Sequence, residues 1–405
     1  MQLEQTLSNE ILLSVAQQYG TPVYVYDANK ITNQYQKLTN AFAGQDVRFF
    51  YACKSLTNVN ILRHMLGMGI GVDCSSINEV KLALYAGFAP DKVLYTSNGI
   101  AFDEIAEAVS LRVHINIDSL SNLSKFGMAY GHSYPVGLRL RPNIMAGGNL
   151  KISTGHDKSK FGIPVNQMEE LLNLVLQHNI RVRTLHLHTG SEIKDVEVFA
   201  RGIGVLLEVA PHFQELEVID LGGGFKVPYR KGDSETDMVH LAQKVQEEFV
   251  AKEGKTGRHL QVWFEPGKYL VSQAGYLLVQ VNVLKSTEAI TFASVNSGFN
   301  HLIRPMFYDA YHYLKNISNP AGKEMHYAVV GNICETDTFA WDRKLNQVRE
   351  GDLLAIYNSG AYGFEMSSNY NSRFKPAEVL VENNIPRLIR RRDNFDDLLH
   401  NVVEP

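Results

Sequence analysis

The sequence predicts an α/β chain: a parallel eight-stranded (β/α)8 TIM barrel, followed by a C-terminal β-rich domain of barrel or sandwich type. Three observations predict it. Eight short apolar runs, at 47–54, 70–75, 92–97, 113–118, 136–142, 184–189, 217–222 and 261–265, have strand length, and most are followed by a stretch of helical period. Lys54, Asp73, Asn98, His188, Gly222-Gly223-Gly224 and Glu265 all close such runs, and the C-terminal strand ends are where a barrel of this kind places its working face. After about residue 270 the texture changes: 275–284, 290–296, 325–331, 353–357 and 377–381 read as strands without long helices between them.

The elements follow in order. Residues 11–26 hold a helix and a short strand, Val23-Tyr24-Val25-Tyr26. In 78–86, Val80, Leu82, Ala83 and Leu84 alternate with Asn78, Glu79 and Lys81 at roughly helical period, and 167–178 does the same with Met168, Leu171, Leu172, Val175 and Leu176. Gly69 and Gly87 stand where helices stop. The segment 143–161 is long, glycine-containing and aperiodic, the signature of a lid or binding loop. The expected domains are 25–268 for the barrel, and 1–24 with 269–405 for the β-rich domain.

A net charge of −4 argues against nucleic acid or an anionic membrane as partner. The start Met1-Gln2-Leu3-Glu4-Gln5 lacks a basic stretch followed by an apolar run, and no apolar stretch reaches membrane-spanning length. Cys53, Cys74 and Cys334 form no metal or disulfide pattern, so a reducing cytoplasm is expected.

Lys54 ends the run Arg48-Phe49-Phe50-Tyr51-Ala52-Cys53-Lys54, and strand alternation would place it on the face of Phe50 and Ala52. An amine at a strand end is either solvated or, beside a cofactor, a nucleophile able to form a Schiff base. Gly67-x-Gly69-x-Gly71 precedes a strand, so it is turn material rather than a dinucleotide fingerprint. Gly222-Gly223-Gly224 follows a strand and suits either an anion cradle or a tight barrel corner. Glu265-Pro266-Gly267 closes the eighth strand; its carboxylate could keep a ring nitrogen protonated, or serve a rim salt bridge. A phosphate site after strands seven and eight is a barrel expectation in its own right. Together an amine, a carboxylate and a glycine loop at one barrel end describe a pyridoxal-phosphate site. His186 and His188 share a face; with no third ligand at matching spacing no metal site is expected, and His188 could instead stack on a cofactor ring. Ser191 could donate to phosphate. Cys334-Glu335 is either a polar site or a buried structural cysteine with a neighbour. Arg304-Pro305-x-x-Tyr308 suits a substrate carboxylate or an inter-domain ion pair.

The ordered motifs resemble the alanine-racemase-like pyridoxal-phosphate decarboxylases, most closely the diaminopimelate decarboxylase branch. They are Tyr51-Ala52-Cys53-Lys54, Asp73-Cys74-Ser75-Ser76, Ser159-Lys160-Phe161-Gly162, His188-Thr189-Gly190-Ser191, Gly222-Gly223-Gly224-Phe225, Glu265-Pro266-Gly267, Cys334-Glu335 and Gly360-Ala361-Tyr362. They sit between Thr21-Pro22-Val23-Tyr24-Val25-Tyr26 and Phe374-Lys375-Pro376-Ala377-Glu378, so the resemblance spans nearly the whole chain. It implies Lys54 as the Schiff-base lysine, His188 on the ring and Glu265 at its nitrogen. Ser191, Gly223, Gly224 and Gly267 would hold the phosphate, with Tyr362 reaching it or the substrate. Arg304 and Tyr308 would hold a distal carboxylate, with Lys268 also contacting substrate. Cys334 would face the reacting carbon from the other subunit of a homodimer, and Glu335 would grip the distal amine.

The implied reaction is decarboxylation of meso-2,6-diaminopimelate to L-lysine and CO2 in lysine biosynthesis. A related basic amino-acid or carboxynorspermidine decarboxylase, a racemase and a non-turning-over pyridoxal-phosphate protein are the rivals. The chain departs from the family pattern in three places: Lys268 stands where arginine is usual, Glu192 where glutamine is common, and Cys334-Glu335-Thr336-Asp337 replaces a Cys-Glu-Ser-Gly-Asp run.

Overall fold

The computed structural model describes residues 5–142, 144, 159–256 and 258–403. The lid expected at 143–161 therefore falls largely outside the described residues. The chain forms two compact units: Tyr35–Val227 with Ser234–Tyr269, and Met1–Gln34 with Pro228–Asp233 and Leu270–Pro405.

Strand β1 (Val23–Asp27) belongs to the β-rich unit. The barrel is built from β2 (Val47–Ala52), β3 (Gly71–Cys74), β4 (Val93–Thr96), β5 (His114–Ile117), β6 (Val136–Arg141), β8 (Val182–His186), β9 (Val218–Asp220) and β10 (Gln261–Phe264), with a two-residue β7 (Ile163–Pro164) beside β6. Every barrel pairing is parallel, and the ring closes through β10 on β2 and β5 on β6. The eight apolar runs are these eight strands. β3, β4 and β9 are buried along their whole length and the other five along most of it, which is why they read as near-continuous apolar stretches rather than as an alternation.

Helix Ile77–Ala86 shows how local sequence fixes the barrel end. The Ser76 side chain accepts from Glu79 N–H, and the Glu79 carboxylate returns to Ser75 N–H at 2.6 Å, satisfying one first-turn donor and the donor just before the cap. Such caps contribute about 1 kcal/mol. Gly87, at φ +110°, stops the helix as expected. The cap lies directly after Cys74, so it also anchors the end of β3, where Asp73 sits. Phe50, Leu94, Val218 and Trp263 form a buried apolar cluster within the barrel unit. Phe42, Phe49, Phe199, Phe225 and Phe264 pack around a second one with ring centroids 5.2 to 6.3 Å apart.

In the β-rich unit, β11 (Gly275–Ser286), β12 (Thr291–Val295), β13 (Leu314–Asn316), β14 (Glu324–Val330), β15 (Thr338–Asn346), β16 (Leu353–Ile356), β17 (Ala377–Glu382) and β18 (Ile385–Arg390) join β1 in one mixed sheet. Its order is β15-β14-β12-β11-β1-β17-β18, with β16 on β11 and β13 on β16. Sequence reading missed β13, β15 and β18. The last two are the outer strands; β18 carries Pro386 and has no buried residue, and β15 buries only Phe339, Ala340 and Leu345, so neither writes a continuous apolar run.

The unit boundaries also differ from the expected 25–268. β1 pairs antiparallel with β11 and parallel with β17, which carries the stretch up to Gln34 into the β-rich unit. Pro228–Asp233 joins it too: Asn358 Nδ2 donates to the Pro228 carbonyl at 2.9 Å, and Tyr229 Oη meets Ser272 Oγ at 2.8 Å. Among the described residues no helix is long and apolar enough to cross a membrane.

Candidate active site

β2 ends at Ala52, and the chain turns through a single 3-10 turn, Cys53–Ser55. Lys54 therefore lies past the strand, and the alternation that would group it with Phe50 and Ala52 does not reach it. The turn is fixed from several sides: Ser55 Oγ donates to the Ala52 carbonyl at 2.9 Å, Thr57 Oγ1 to that of Cys53 at 2.8 Å, and Tyr51 Oη to that of Leu56 at 2.9 Å. It carries the Lys54 ammonium to 3.6 Å from Asp73 Oδ2 on the neighbouring strand; the lysine side chain is 41% exposed, the aspartate 1%.

The barrel end concentrates charge in little water. Asp73, Asp220, Glu265 and Arg139 are buried, and Asp118 nearly so. Glu265 Oε1 lies 3.3 Å from His186 Nε2 and has no hydrogen-bond partner among the described residues. Its carboxyl stays ionised: burial opposes the charge, but His186, Lys54 and His188 outweigh it and hold the pKa at about 2. Asp73 and Asp220 go the other way. Burial, reinforced by the Glu265 charge, pushes both well above the usual carboxylate range. The cluster thus favours the charged form at Glu265 and the protonated form at Asp73 and Asp220. The ligand atoms of His186, Asp220 and Glu265 lie within 4.8 Å of one another, a different set from the His186–His188 pair weighed in the sequence.

A stability consequence follows from Asp220. Its raised pKa means the folded state holds a proton that the unfolded chain releases above about pH 3.8. Stability from this group is therefore full below that pH and is lost as pH rises toward the folded value. Asp220→Asn keeps an acceptor for the Gly222 N–H, now 2.9 Å from Oδ1, and cannot ionise. The melting temperature of the variant minus that of the parent should become more positive between pH 4.5 and pH 8 in calorimetry. A difference that is flat or falls with pH would show that Asp220 does not carry a stored proton.

The glycine run forms a tight corner, one of the two alternatives the sequence offered. Gly222 and Gly224 have φ of +64° and +103°. A Cβ on Gly223 would stand 2.2 Å from the Glu265 carbonyl, and one on Gly224 2.1 Å from that of Gly190. Glu265 N–H donates to the Gly222 carbonyl at 2.8 Å, and Ala52 N–H to that of Pro266 at 3.2 Å, so both glycine-bearing loops are laced to the end of β2. Gly267 packs against Ala52 and Ser55 with no room to spare for a side chain. Gly223 N–H donates to His188 Nδ1 at 3.3 Å. That leaves the His188 proton on Nε2, and burial with Lys54 and Arg139 keeps the ring neutral, its pKa down to about 3. Ser191 lies half-buried in the bend after Gly190.

Two of the three departures noted in the sequence are one feature. Lys268, 7% exposed, is ion-paired with Glu192, whose other oxygen lies 3.8 Å from Lys226 Nζ. Sequence reading treated the positions separately and also passed over Arg139, whose guanidinium lies 4.8 Å from the Phe161 ring centre. The signal was present: Arg139 and Arg141 interrupt the otherwise apolar β6, and a cation at every second position of a barrel strand asks for interior partners.

In the β-rich unit, Arg304 opens the short helix Arg304–Tyr308. It is buried, with its guanidinium 5.6, 5.9 and 6.0 Å from the ring centres of Tyr229, Tyr308 and Tyr362. Nη2 donates to Tyr229 Oη at 3.4 Å, while Nε has no hydrogen-bond partner, and no carboxylate pairs with the group among the described residues. Tyr362 holds φ +57°. Cys334 is exposed, so the buried structural reading fails. Its Sγ lies 3.3 Å from Glu335 Oε2, accepts from Asn371 Nδ2 at 3.4 Å and meets Tyr370 Oη at 3.8 Å; Tyr370 also donates to Glu335. Tyr370 and Asn371 lay unrecognised in a loop without periodicity.

A pyridoxal-phosphate group fits these residues: a buried ionised carboxylate with an unused oxygen, a glycine cradle closed to any Cβ, and a part-exposed lysine stand at one barrel end. The pyridoxal-dependent decarboxylase, pyridoxal binding domain, family matches residues 28–272. The chain is a pyridoxal-phosphate-dependent decarboxylase. It is 39% identical over 404 residues to the diaminopimelate decarboxylase of Methanothermobacter thermautotrophicus, covering 97% of this chain and 94% of that one. The diaminopimelate decarboxylase of Helicobacter pylori, solved with L-lysine, superposes with a TM-score of 0.88 at 30% identity over 96% of this chain and 98% of the other. That of M. jannaschii, also with L-lysine, gives 0.90 at 30% identity over 97% and 94%. The chain belongs to the diaminopimelate decarboxylase family.

Proposed function

We propose that the enzyme converts meso-2,6-diaminopimelate and a proton to L-lysine and CO2. The observation that carries this is the barrel-end set: the Lys54 amine, the ionised Glu265 with an unused oxygen, and the glycine cradle. Pyridoxal phosphate, when bound, supplies an electron sink for the pair left behind as CO2 departs. Lys54 would hold its aldehyde carbon covalently and yield that carbon to the substrate amine. Glu265 would keep the ring nitrogen protonated, since an ionised carboxylate favours the cationic ring. His188, neutral and buried, would lie against the ring face. Gly223, Gly224, Gly267 and Ser191 would donate to the phosphate, with Tyr362 reaching it or the substrate.

Arg304 supports the dicarboxylic substrate. A buried guanidinium ringed by tyrosines, with Nε unsatisfied, suits a second carboxylate, aided by Tyr308 and Lys268. Glu335 would take the distal amine, and Cys334 would return the proton to Cα. Both are exposed on the single chain, which supports a homodimer in which each subunit completes the other's site. Three unbridged cysteines, two of them buried with Sγ atoms 4.0 Å apart, support a reducing cytoplasm.

Purified protein supplied with pyridoxal phosphate and meso-diaminopimelate should release CO2 and L-lysine in equal amounts. Arg304→Ala should lower kcat/KM for meso-diaminopimelate roughly 100-fold or more, as loss of a buried charge partner does. Its kcat/KM for L-lysine, which has no second carboxylate, should change far less. An unchanged preference between the two would remove Arg304 as selector. A monomer that turns over fully in sedimentation-matched assays would remove the shared site.

A further inference from the structure

Glu192 occupies a conformation that side-chain-bearing residues rarely take, with φ +63°. The next residue pins it there: Ile193 N–H donates to the Gly224 carbonyl at 2.9 Å, and Ile193 and Phe225 form a parallel bridge. Its carboxylate is clamped at both ends, Oε1 by the Lys268 ammonium and Oε2 by Lys226 at 3.8 Å. Lys268 directly follows Gly267 in the loop that closes β10, and is 7% exposed. A lysine is a point charge on a flexible four-carbon stem, and it lacks the fixed fork of arginine. Something must therefore choose the direction of its charge, and Glu192 is ion-paired with it. Uncommon backbone persists where the surroundings over-determine it, and such places gather at ligand sites.

We propose that Glu192 is a positioning residue: it holds the Lys268 ammonium in place as an anchor for a substrate carboxylate, and so favours amino acids that keep a carboxylate besides the one they lose. This rests on the proposed function above. The ammonium has three donors. The one that meets Glu192 fixes the direction of the charge.

The test uses L-lysine and cadaverine, which differ only by a carboxylate, with the cofactor-loaded enzyme in titration calorimetry. The proteins are the parent, Glu192→Gln, Lys268→Met and the double variant. Each single change should weaken L-lysine about tenfold or more, the scale of one charge-assisted hydrogen bond, and alter cadaverine less than about twofold. The double variant should bind L-lysine no more weakly than Lys268→Met alone. With meso-diaminopimelate the loss should fall on KM more than on kcat. Losses that multiply in the double variant, equal losses for cadaverine, or parental L-lysine affinity in Glu192→Gln would overturn the proposal, as would a parent that does not bind L-lysine. If Glu192→Gln does not fold, Glu192→Asp, which draws the carboxylate back by one carbon, must show the same selective loss. A parent that binds L-lysine but does not turn over meso-diaminopimelate would sink the proposed function alone, and the binding cycle would still decide the role of Glu192.

Discussion

Lys54→Ala should reduce kcat/KM by roughly 10³-fold or more, the scale seen when a covalent nucleophile is removed, with the folded state intact. The side chain is 41% exposed and approaches Asp73 at 3.6 Å, so little packing is lost. The 3-10 turn beneath it is held by Ser55, Thr57 and Tyr51 rather than by the lysine. The glycine cradle does not depend on it, and His186 and His188 still favour the ionised Glu265, so cofactor should still bind, now without a covalent link. Borohydride reduction followed by mass spectrometry separates the outcomes. The parent should carry the reduced cofactor on the peptide containing Lys54, and the variant on none. A variant that still carried it would place the nucleophile elsewhere.

Removing Lys54 also removes the one cation that lowers the Asp73 pKa most. Asp73 should then hold its proton to still higher pH. The carboxyl beside the nucleophile is thus coupled to it in both directions: Lys54 favours the ionised aspartate, and an ionised aspartate favours the ammonium. Burial and the Glu265 charge pull Asp73 the other way, toward its protonated form.

The barrel was legible because its strands are buried on both faces. The run Val47–Ala52 or Gln261–Phe264 has almost no polar face to hide it, and the residues that interrupt such runs mark the working end. Legibility failed where burial ends. Ile385–Arg390 has no buried residue and Thr338–Asn346 buries only Phe339, Ala340 and Leu345, so these outer strands look like loops. Within the site, residue types that act alone were found and residues that act in pairs were not. Lys54, Glu265 and the triple glycine announce their chemistry singly. Glu192 and Lys268 stand 76 positions apart, and only the fold shows that the two departures meet. Asp220 reads as an ordinary strand residue, and His186 as half of a pair with His188, until Glu265 is placed among them. Tyr370 and Asn371 became visible only when the turn around Cys334 was closed by them.

Glu265→Gln should lower kcat by roughly 10²- to 10³-fold, the range for deleting one preorganised electrostatic contact at a reacting centre, while cofactor remains bound through Lys54 and the glycine loops. Glutamine keeps the shape but can hold no negative charge against the ring nitrogen, so the electron sink weakens without being lost. The stability effect has a definite sign. The folded pKa of Glu265, about 2, lies below the ordinary value of 4.5, so its contribution is complete above pH 4.5 and is lost as pH falls toward 2. At neutral pH the substitution forfeits that contribution. It also relieves Asp73 and Asp220, both of which the Glu265 charge pushes upward. Their pKa values should fall in the variant, which carboxyl titration followed by difference infrared spectroscopy can read. A loss of kcat together with this downward shift would establish one ionised carboxylate as the organiser of the whole cluster. A glutamine variant with parental kcat would mean that the ring nitrogen is not served from this position, and the assignment of the barrel end would have to be redrawn around Asp220.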